Sequence, residues 1–333
     1  YAGPVMANWI FRQALSVGTD LSLWVDVRYY SNGAIELFPW VENAVLRTVS
    51  PVNFVGTCTV TVNGTQRFSQ SVDFKARTRI PLLNGSLSYW HGTDPGITPV
   101  HDSAYLKATK LVPNYSVTLA STLTNALVTS YTPNTRAGYG ADMGAAGGSG
   151  SLEGTPSVWY VQSPSASSYA ATVVWGLSAG SWSIHYRSGT EPFTFTDEPN
   201  TSFASSPPAA SAGGTNGTYA GSHAPGFPFV PYLVTGRWWF LDELQFIANY
   251  HFLDYQSSER FGADAIANPT NAGSQRFAAW TLRSYAQALA ALPDTHARRA
   301  ELIAAWEANC QYWRNKFVDG VAYKSSTWTA VSP

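Results

Sequence analysis

The chain has 333 residues, of which 45% are hydrophobic and only 12% are charged, and its formal net charge is −1. The charged share is about half of the usual one, and no long basic run is present, so the electrostatic pattern of a DNA- or RNA-binding protein is excluded. No apolar run reaches the roughly 18–20 residues that a helix needs to span a bilayer. We therefore predict neither a nucleic-acid partner nor a membrane span.

The first part of the chain has the alternating pattern of β-strands. Asn-Gly pairs between alternating runs are strong hairpin signals, and they occur at Asn32-Gly33 and Asn63-Gly64. Several strands with turns at short intervals predict an antiparallel β-sandwich over residues 1–135. The predicted strands are 21–30, 34–38, 58–62 and 65–74, with a further strand or short helix between Val117 and Val128.

The second part is predicted to be helical. A Gly/Ala/Ser-rich stretch, residues 136–156, is interpreted as a linker between two domains. Apolar residues at helical spacing then predict a helical domain over 157–333, interrupted by a long Ser/Pro/Gly-rich loop at 199–226. Helix pairs of this kind indicate an (α/α) toroid-like array, and we expect it to be partial because a full toroid needs more chain. The predicted helices are 165–177, 238–253, 275–292 and 298–317.

The aromatic residues, the cysteines and the Asn-x-Ser/Thr patterns are used to predict the type of ligand and the cellular location of the protein. Aromatic residues make up 14% of the chain, with 13 Trp and 18 Tyr, and such side chains with few charges suit a protein that binds sugars. The two cysteines, Cys58 and Cys310, are expected to be buried free thiols. The sequence begins at Tyr1 rather than at Met, which we interpret as a processed or truncated segment, and it contains five Asn-x-Ser/Thr patterns. We therefore expect a secreted or extracellular protein, with a virion surface as one such location.

No motif for a nucleotide cofactor, a nucleophile elbow or a zinc or calcium site is present, so we predict no cofactor and no metal. The candidate residues form looser clusters instead. Arg276, Trp280, Arg283 and Gln287 follow one another at i, i+4, i+7 and i+11 and therefore share one helical face. The other candidates lie in three short segments: His185, Tyr186 and Arg187; His223 at the end of the long loop; and Trp239, Glu243, Asn249 and Tyr250 on the helix that starts at Trp238.

Several segments resemble a group of uncharacterised bacterial and phage-borne proteins that are similar to exo-rhamnogalacturonan lyase-like and other polysaccharide lyases. The resemblance spans most of the chain and implies a β-sandwich combined with an (α/α) toroid. It names no catalytic residue. The segments that carry it are Pro99-Val-His-Asp102, Leu111-Val-Pro-Asn-Tyr115, Gly221-Ser-His-Ala-Pro225, Val230-Pro-Tyr-Leu-Val-Thr-Gly236, Leu241-Asp-Glu-Leu-Gln-Phe246, Asn249-Tyr250 and Arg276-Phe-Ala-Ala-Trp-Thr-Leu-Arg283.

We therefore expect a polysaccharide lyase that cleaves a uronic-acid-containing polymer by β-elimination. The reaction needs a group that neutralises the uronate carboxylate, a base for the C5 proton and an acid for the leaving oxygen. Trp239 and Trp280 are expected to stack on sugar rings, and Glu243, Asn249 and Arg283 to bind substrate. The expected catalytic groups are Arg276 or Arg187 as neutraliser, His223 or His185 as base, and Tyr186 or Tyr250 as acid.

Two other functions fit the same residues. A glycoside hydrolase needs two carboxylates that flank the scissile bond, and Asp242, Glu243, Asp254, Glu259 and Asp264 are available. A non-catalytic glycan-binding or structural surface protein needs only the aromatic side chains. The pattern does not specify the substrate or the oligomeric state.

Overall fold

A computed structural model gives the structure of the chain and describes residues 2–16, 20–45, 52–116, 118–136, 153–197, 199–202, 219–255, 258–268 and 275–320. The strands are β1 (Met6–Ala14), β2 (Leu21–Tyr30), β3 (Ile35–Asn43), β4 (Phe54–Val62), β5 (Thr65–Phe74), β6 (Thr78–Pro81), β7 (Tyr89–His91), β8 (Arg187–Ser188) and β9 (Glu191–Pro192). The α-helices are α1 (Ser103–Ala108), α2 (Ser121–Thr124), α3 (Thr155–Gln162), α4 (Ala166–Ser178), α5 (Phe229–Thr235), α6 (Trp238–Leu253), α7 (Gln275–Ala291) and α8 (Arg299–Arg314).

The strands form antiparallel sheets. The main sheet has the order β1-β2-β3-β6, and β7 pairs with another stretch of β3. A separate hairpin joins β4 to β5, and β8 and β9 form a short ribbon. One hydrophobic cluster contains side chains from the main sheet, such as Phe38 and Ile80, and from the hairpin, such as Val72.

One face of the main sheet carries charged residues beside tryptophans. Trp24 lies opposite Trp40, Asp26 opposite Phe38 and Arg28 opposite Glu36 in the β2–β3 register. Directly opposite residues of neighbouring strands point to the same side of a sheet, so these pairs share a face. Trp24, Asp26 and Arg28 are buried, whereas the intervening Leu23, Val25 and Val27 are partly exposed. The charged positions of this strand therefore face the protein interior.

The helices begin and end at local signals. Ser165 and Ser168 form a capping box at the start of α4, and Asp102 accepts hydrogen bonds from two backbone N–H groups at the start of α1. Gly236 adopts a left-handed conformation with φ of 57°, which ends α5 and turns the chain into α6. Helix α6 then packs against the charged face of the sheet, where Trp238 stacks on Trp24 at 5.8 Å.

Two buried arginines anchor α6 to the sheet. Arg237, just before α6, pairs with Glu36 of β3 and with Asp26 of β2. Arg79 of β6 extends its three guanidinium nitrogens to three carboxylates, and it has no exposed surface. Its Nε lies 2.7 Å from Glu42, its Nη2 2.8 Å from Asp242 and its Nη1 2.7 Å from Glu243.

His185 and Arg187 complete this buried network. Arg187 pairs with Glu42 at 2.7 Å and also contacts Asp242. His185 Nε2 lies 2.6 Å from Glu243 Oε1, and its Nδ1 lies 2.8 Å from the Arg77 carbonyl oxygen. Both ring nitrogens of His185 therefore face oxygen atoms. Arg79, Arg187 and His185 together contact three buried carboxyl groups, namely Glu42, Asp242 and Glu243.

Several sequence predictions are confirmed. The chain combines antiparallel sheets with helices, as predicted, and the bounds of β2 and α6 match the predicted segments. The ends of helices α4, α7 and α8 lie at most three residues from their predicted bounds. Cys58 and Cys310 are both free thiols, but neither is buried as predicted, because Cys58 is partly exposed and Cys310 is exposed on α8.

Other predictions need correction or lie outside the described residues. The segment from Val117 to Val128 contains the short helix α2, and Val117 itself is not described. Most of the predicted linker, at 137–152, and most of the long loop, at 203–218, lie outside the described residues, as does the end of the predicted helical domain, 321–333. The sheet and α4 and α6 share one hydrophobic cluster, which therefore crosses the predicted domain boundary. Within the described part of the chain, no helix is both long and apolar enough to cross a membrane.

Removing the central arginine is expected to destabilise the fold strongly. Arg79→Met leaves three buried carboxylates without their shared cation, so we expect the free energy of unfolding to fall by about 3–5 kcal/mol. Arg298→Met is the control, because Arg298 pairs with Asp197 on the surface at 2.9 Å and is 25% exposed, and its loss should cost about 1 kcal/mol or less. Chemical denaturation measures both, and equal losses in the two variants would contradict the central role of Arg79.

Candidate functional site

The polar face predicted on α7 exists and descends from solvent into the protein. Arg276 is exposed, Trp280 and Arg283 are partly buried, and Gln287 is buried. The guanidinium of Arg283 lies over the Trp280 ring, 4.8 Å from its centroid. A helical face of this kind offers two cations and one aromatic ring to a ligand that approaches from solvent. We call these four residues the α7 row.

The segment 219–226 lies directly against the α7 row. Gly221 makes this approach possible, because a Cβ atom there would lie 2.3 Å from the Phe277 ring of α7. Arg283 Nη2 donates a hydrogen bond to the Ala224 carbonyl oxygen at 2.7 Å. The end of the long loop is thereby held on the helix, and His223 is brought to the outer end of the row.

His223 and Arg276 meet at this outer end. Arg276 Nη2 lies 2.7 Å from His223 Nε2, and Ser222 Oγ lies 3.0 Å from His223 Nδ1. A guanidinium can only donate, so Nε2 must be the unprotonated nitrogen and the proton lies on Nδ1. In this arrangement the imidazole is neutral and its Nε2 lone pair accepts a hydrogen bond from Arg276.

A buried carboxyl group, Glu153, lies at the inner end of the row. Gln287 Nε2 donates to Glu153 Oε1 at 2.6 Å, while Oε2 has no hydrogen-bond partner among the described residues. Burial raises the pKa of Glu153 to about 7, although Arg283 and Gln287 act in the opposite direction. Gly226 leaves room for this oxygen, since a Cβ there would lie 2.5 Å from Oε2. Glu153 is therefore a carboxyl group that is partly protonated near neutral pH.

Aromatic residues and a second histidine line the inner side of the same region. His251 has no exposed surface, and Tyr219 Oη lies 2.8 Å from its Nε2. Burial, together with the charge of Arg283, lowers the pKa of His251 to about 3, so this imidazole is neutral. Tyr250 packs edge-on against Tyr219 and parallel to Tyr186, and burial raises its pKa well above the ordinary value. The two tyrosines proposed as acids, Tyr186 and Tyr250, are 5% and 9% exposed.

The structure divides the predicted site residues into two groups. His223, Arg276, Trp280 and Arg283 come together on the surface, which is the arrangement that substrate binding requires. The others lie inside: His185, Arg187 and Glu243 belong to the ion-pair network, Trp239 has no exposed surface, and Asn249 donates to the Gln245 carbonyl oxygen within α6.

Burial of the second group does not support the roles predicted for it. His185 has no exposed surface, and its two ring nitrogens are engaged by Glu243 and by the Arg77 carbonyl oxygen, so neither faces a substrate. Arg187 is fully paired with Glu42 and Asp242 and has no free edge for a uronate. A sugar ring has no access to Trp239, whose ring is instead packed under the Arg79 guanidinium at 4.9 Å.

The carboxylates considered for a hydrolase lie either in the buried ion-pair network or beyond the end of α6. Asp242 and Glu243 belong to the ion-pair network, and Asp254 follows the end of α6, where burial raises its pKa to about 6. Glu259 and Asp264 are partly exposed residues beyond α6. Glu153 was not singled out from the sequence, because it falls in the stretch interpreted as a linker. In the described part of the chain, no group of three His, Cys, Asp or Glu side chains has a geometry that could hold a metal ion.

The raised pKa of Glu153 predicts a specific pH dependence of stability. Between about pH 4.5, the value for an exposed glutamate, and about pH 7, the folded protein retains a proton that the unfolded chain has released. Stability therefore falls as pH rises through this window. Glu153→Gln removes the effect, so its free energy of unfolding should gain about 3 kcal/mol relative to wild type between about pH 4 and pH 8.

Denaturation curves at several pH values measure this difference. Glu307→Gln, which removes an exposed carboxylate on α8, controls for the loss of one negative charge. A difference between Glu153→Gln and wild type that does not change with pH would show that Glu153 is ionised throughout the window.

Comparison of the chain with protein-family models, curated proteins and solved structures finds no match. The chemistry of the candidate site is therefore inferred from its own residues: two arginines and a tryptophan on one helix face, a neutral histidine at one end and a carboxyl group of raised pKa at the other.

Proposed function

We propose that the chain is a carbohydrate-active protein that cleaves a uronic-acid-containing polysaccharide by β-elimination, with the α7 row as its substrate site. The observation that carries this proposal is the contact between Arg276 and His223 at 2.7 Å. Elimination needs a cation for the uronate carboxylate next to a base for the C5 proton, and this pair supplies both. Trp280 offers its ring to a sugar, and Arg283 offers a second cation along the same face.

Binding of substrate would itself release the base. In the free protein, Arg276 occupies the lone pair of His223 Nε2. A uronate carboxylate is a stronger acceptor than an imidazole for a guanidinium, because the carboxylate is charged and can bind the fork in a bidentate manner. Its arrival would draw Arg276 away and leave Nε2 facing the sugar.

The reaction then follows from these groups. His223 Nε2 takes the C5 proton, the electrons of the C5–H bond form the C4=C5 double bond, and the C4–O4 bond breaks. The leaving oxygen takes a proton from an acid. Water is the acid we favour, because Glu153 is 3% exposed and lies beside Gln287, eleven residues or about 16 Å along α7 from Arg276. Tyr186 and Tyr250 are buried as well.

We also propose that the sheets form a β-sandwich and that the helices form part of an (α/α) toroid. The shared core of the main sheet and the β4–β5 hairpin supports the first proposal. The successive packing of α6 on α7 and of α7 on α8 supports the second. A secreted or extracellular location is supported by the exposure of the four described asparagines in Asn-x-Ser/Thr patterns, Asn63, Asn84, Asn114 and Asn200, while Asn216 lies outside the described residues.

Elimination is tested by incubating the protein with a panel of acidic polysaccharides and following the absorbance band of the unsaturated uronate product. We expect His223→Ala to lower the rate by about 10²–10⁴-fold, the usual contribution of a general base. Arg276→Met should also lower it, and Arg276→Lys should recover only part, because an ammonium group cannot bind a carboxylate in a bidentate manner. Arg314→Met is the control, since Arg314 is an exposed arginine on α8.

Each alternative outcome has a clear meaning. Full activity in His223→Ala would remove His223 from the site. New reducing ends without the absorbance band would indicate hydrolysis. Neither product from any substrate in the panel would leave a non-catalytic, glycan-binding or structural surface role.

A further inference from the structure

A cleft that includes no residue of the α7 row lies between the main sheet and the helices. It is a cleft of about 750 Å³, within the range of sites for small ligands. Its floor is formed by Arg28 and Glu36 of the sheet, and α4 contributes Tyr169 to one wall. The opposite wall is formed by the 86–99 segment, including Trp90. None of the residues proposed for elimination lines this cleft.

The cleft contains an aromatic platform. Tyr30 and Trp90 stack at 5.7 Å with an angle of 29° between their rings, and both are only partly buried. The Tyr30 hydroxyl donates to Glu36 at 2.8 Å, which fixes the orientation of its ring. Paired aromatic rings that are held in place and open to solvent favour the apolar C–H face of a sugar.

The charges in and under the floor balance one another. Arg28 and Arg237 are cations, and Asp26 and Glu36 are the carboxylates that they contact. Burial alone would raise the pKa of Glu36, but Arg237 and Arg28 lower it to about 2, so Glu36 is ionised. Because the two cations are matched, the floor has no excess positive charge with which to bind an anionic ligand.

The floor nevertheless retains hydrogen-bonding capacity. Arg28 and Glu36 both line the cleft and are each 7% exposed, so the floor presents polar surface to a ligand. Ser86 and Asn32 add exposed polar side chains at the rim. The combination of an aromatic platform, polar side chains at the floor and rim, and matched cations suits a neutral ligand that is rich in hydroxyl groups.

We infer that this cleft is a binding site for neutral oligosaccharides, distinct from the cation-rich α7 row. Its ligand would stack on the Trp90–Tyr30 pair and place a hydroxyl within reach of Arg28.

Isothermal titration calorimetry tests this inference on the full chain, with cellotriose, maltotriose, mannotriose and xylotriose as neutral probes and trigalacturonate as the acidic one. We expect at least one neutral trisaccharide to bind, and Trp90→Ala to weaken that binding about tenfold, as expected for loss of an aromatic contact. Trp90→Phe should retain more of the affinity. Trp9→Ala is the matched control, because Trp9 is a 49% exposed tryptophan of the same sheet outside the cleft.

His223→Ala should bind the neutral probe as wild type does, which separates this site from the proposed elimination. Thermal melting confirms that each variant is folded. The inference would be overturned if none of the neutral probes bound, if Trp90→Ala bound as tightly as Trp9→Ala, or if trigalacturonate bound in competition with, and more tightly than, the neutral probe.

Discussion

The four-way contact of Arg79 with Glu42, Asp242, Glu243 and the ring of Trp239 is the interaction on which the rest of the structure depends. A charge removed from water costs several kcal/mol unless its partners surround it, and here three carboxyl groups surround the Arg79 guanidinium. Helix α6 can satisfy Arg79 only in a register that places Asp242 and Glu243 over β6. Since α7 packs on α6, this register also determines where the α7 row lies.

The sequence was sufficient to predict β2 and the four longest helices, but not the direction in which the main sheet faces. Alternation in residues 21–30 predicts a strand, because it depends only on the period of two. The usual assumption places the polar positions in water, yet Asp26 and Arg28 are buried. Their partners supply the reason, since Arg237 lies 211 residues from Asp26. An ion pair between residues so far apart in the sequence leaves no local pattern from which the burial of Asp26 could be predicted.

Only part of the candidate site was predicted, because local spacing can be read from the sequence and contacts between distant residues cannot. The α7 row follows from helical spacing, which is local, and the structure brings His223 to it from 53 residues away. The segment from His185 to Arg187 has the polar composition of an active site, but the structure places His185 and Arg187 in the buried ion-pair network. Polar side chains cluster both in substrate sites and in buried ion-pair networks, and the sequence does not distinguish the two. Glu153 shows the opposite case, because its raised pKa arises from burial that only the folded chain provides.

Three polar regions of the chain thus differ in how their charges are compensated, and this difference separates their roles. The Arg79 network is buried and its charged groups are paired with one another, so it can hold two elements together but cannot receive a ligand. The cleft beside Trp90 is open and its floor has no excess positive charge, which suits the neutral ligand proposed for it. In the α7 row, Arg276 Nη2 donates to the His223 imidazole and Arg283 Nη2 donates to the Ala224 carbonyl oxygen. An anion that reaches the outer end of this row would meet the exposed Arg276 beside the partly buried Trp280, which is the physical basis for proposing an acidic sugar as its ligand.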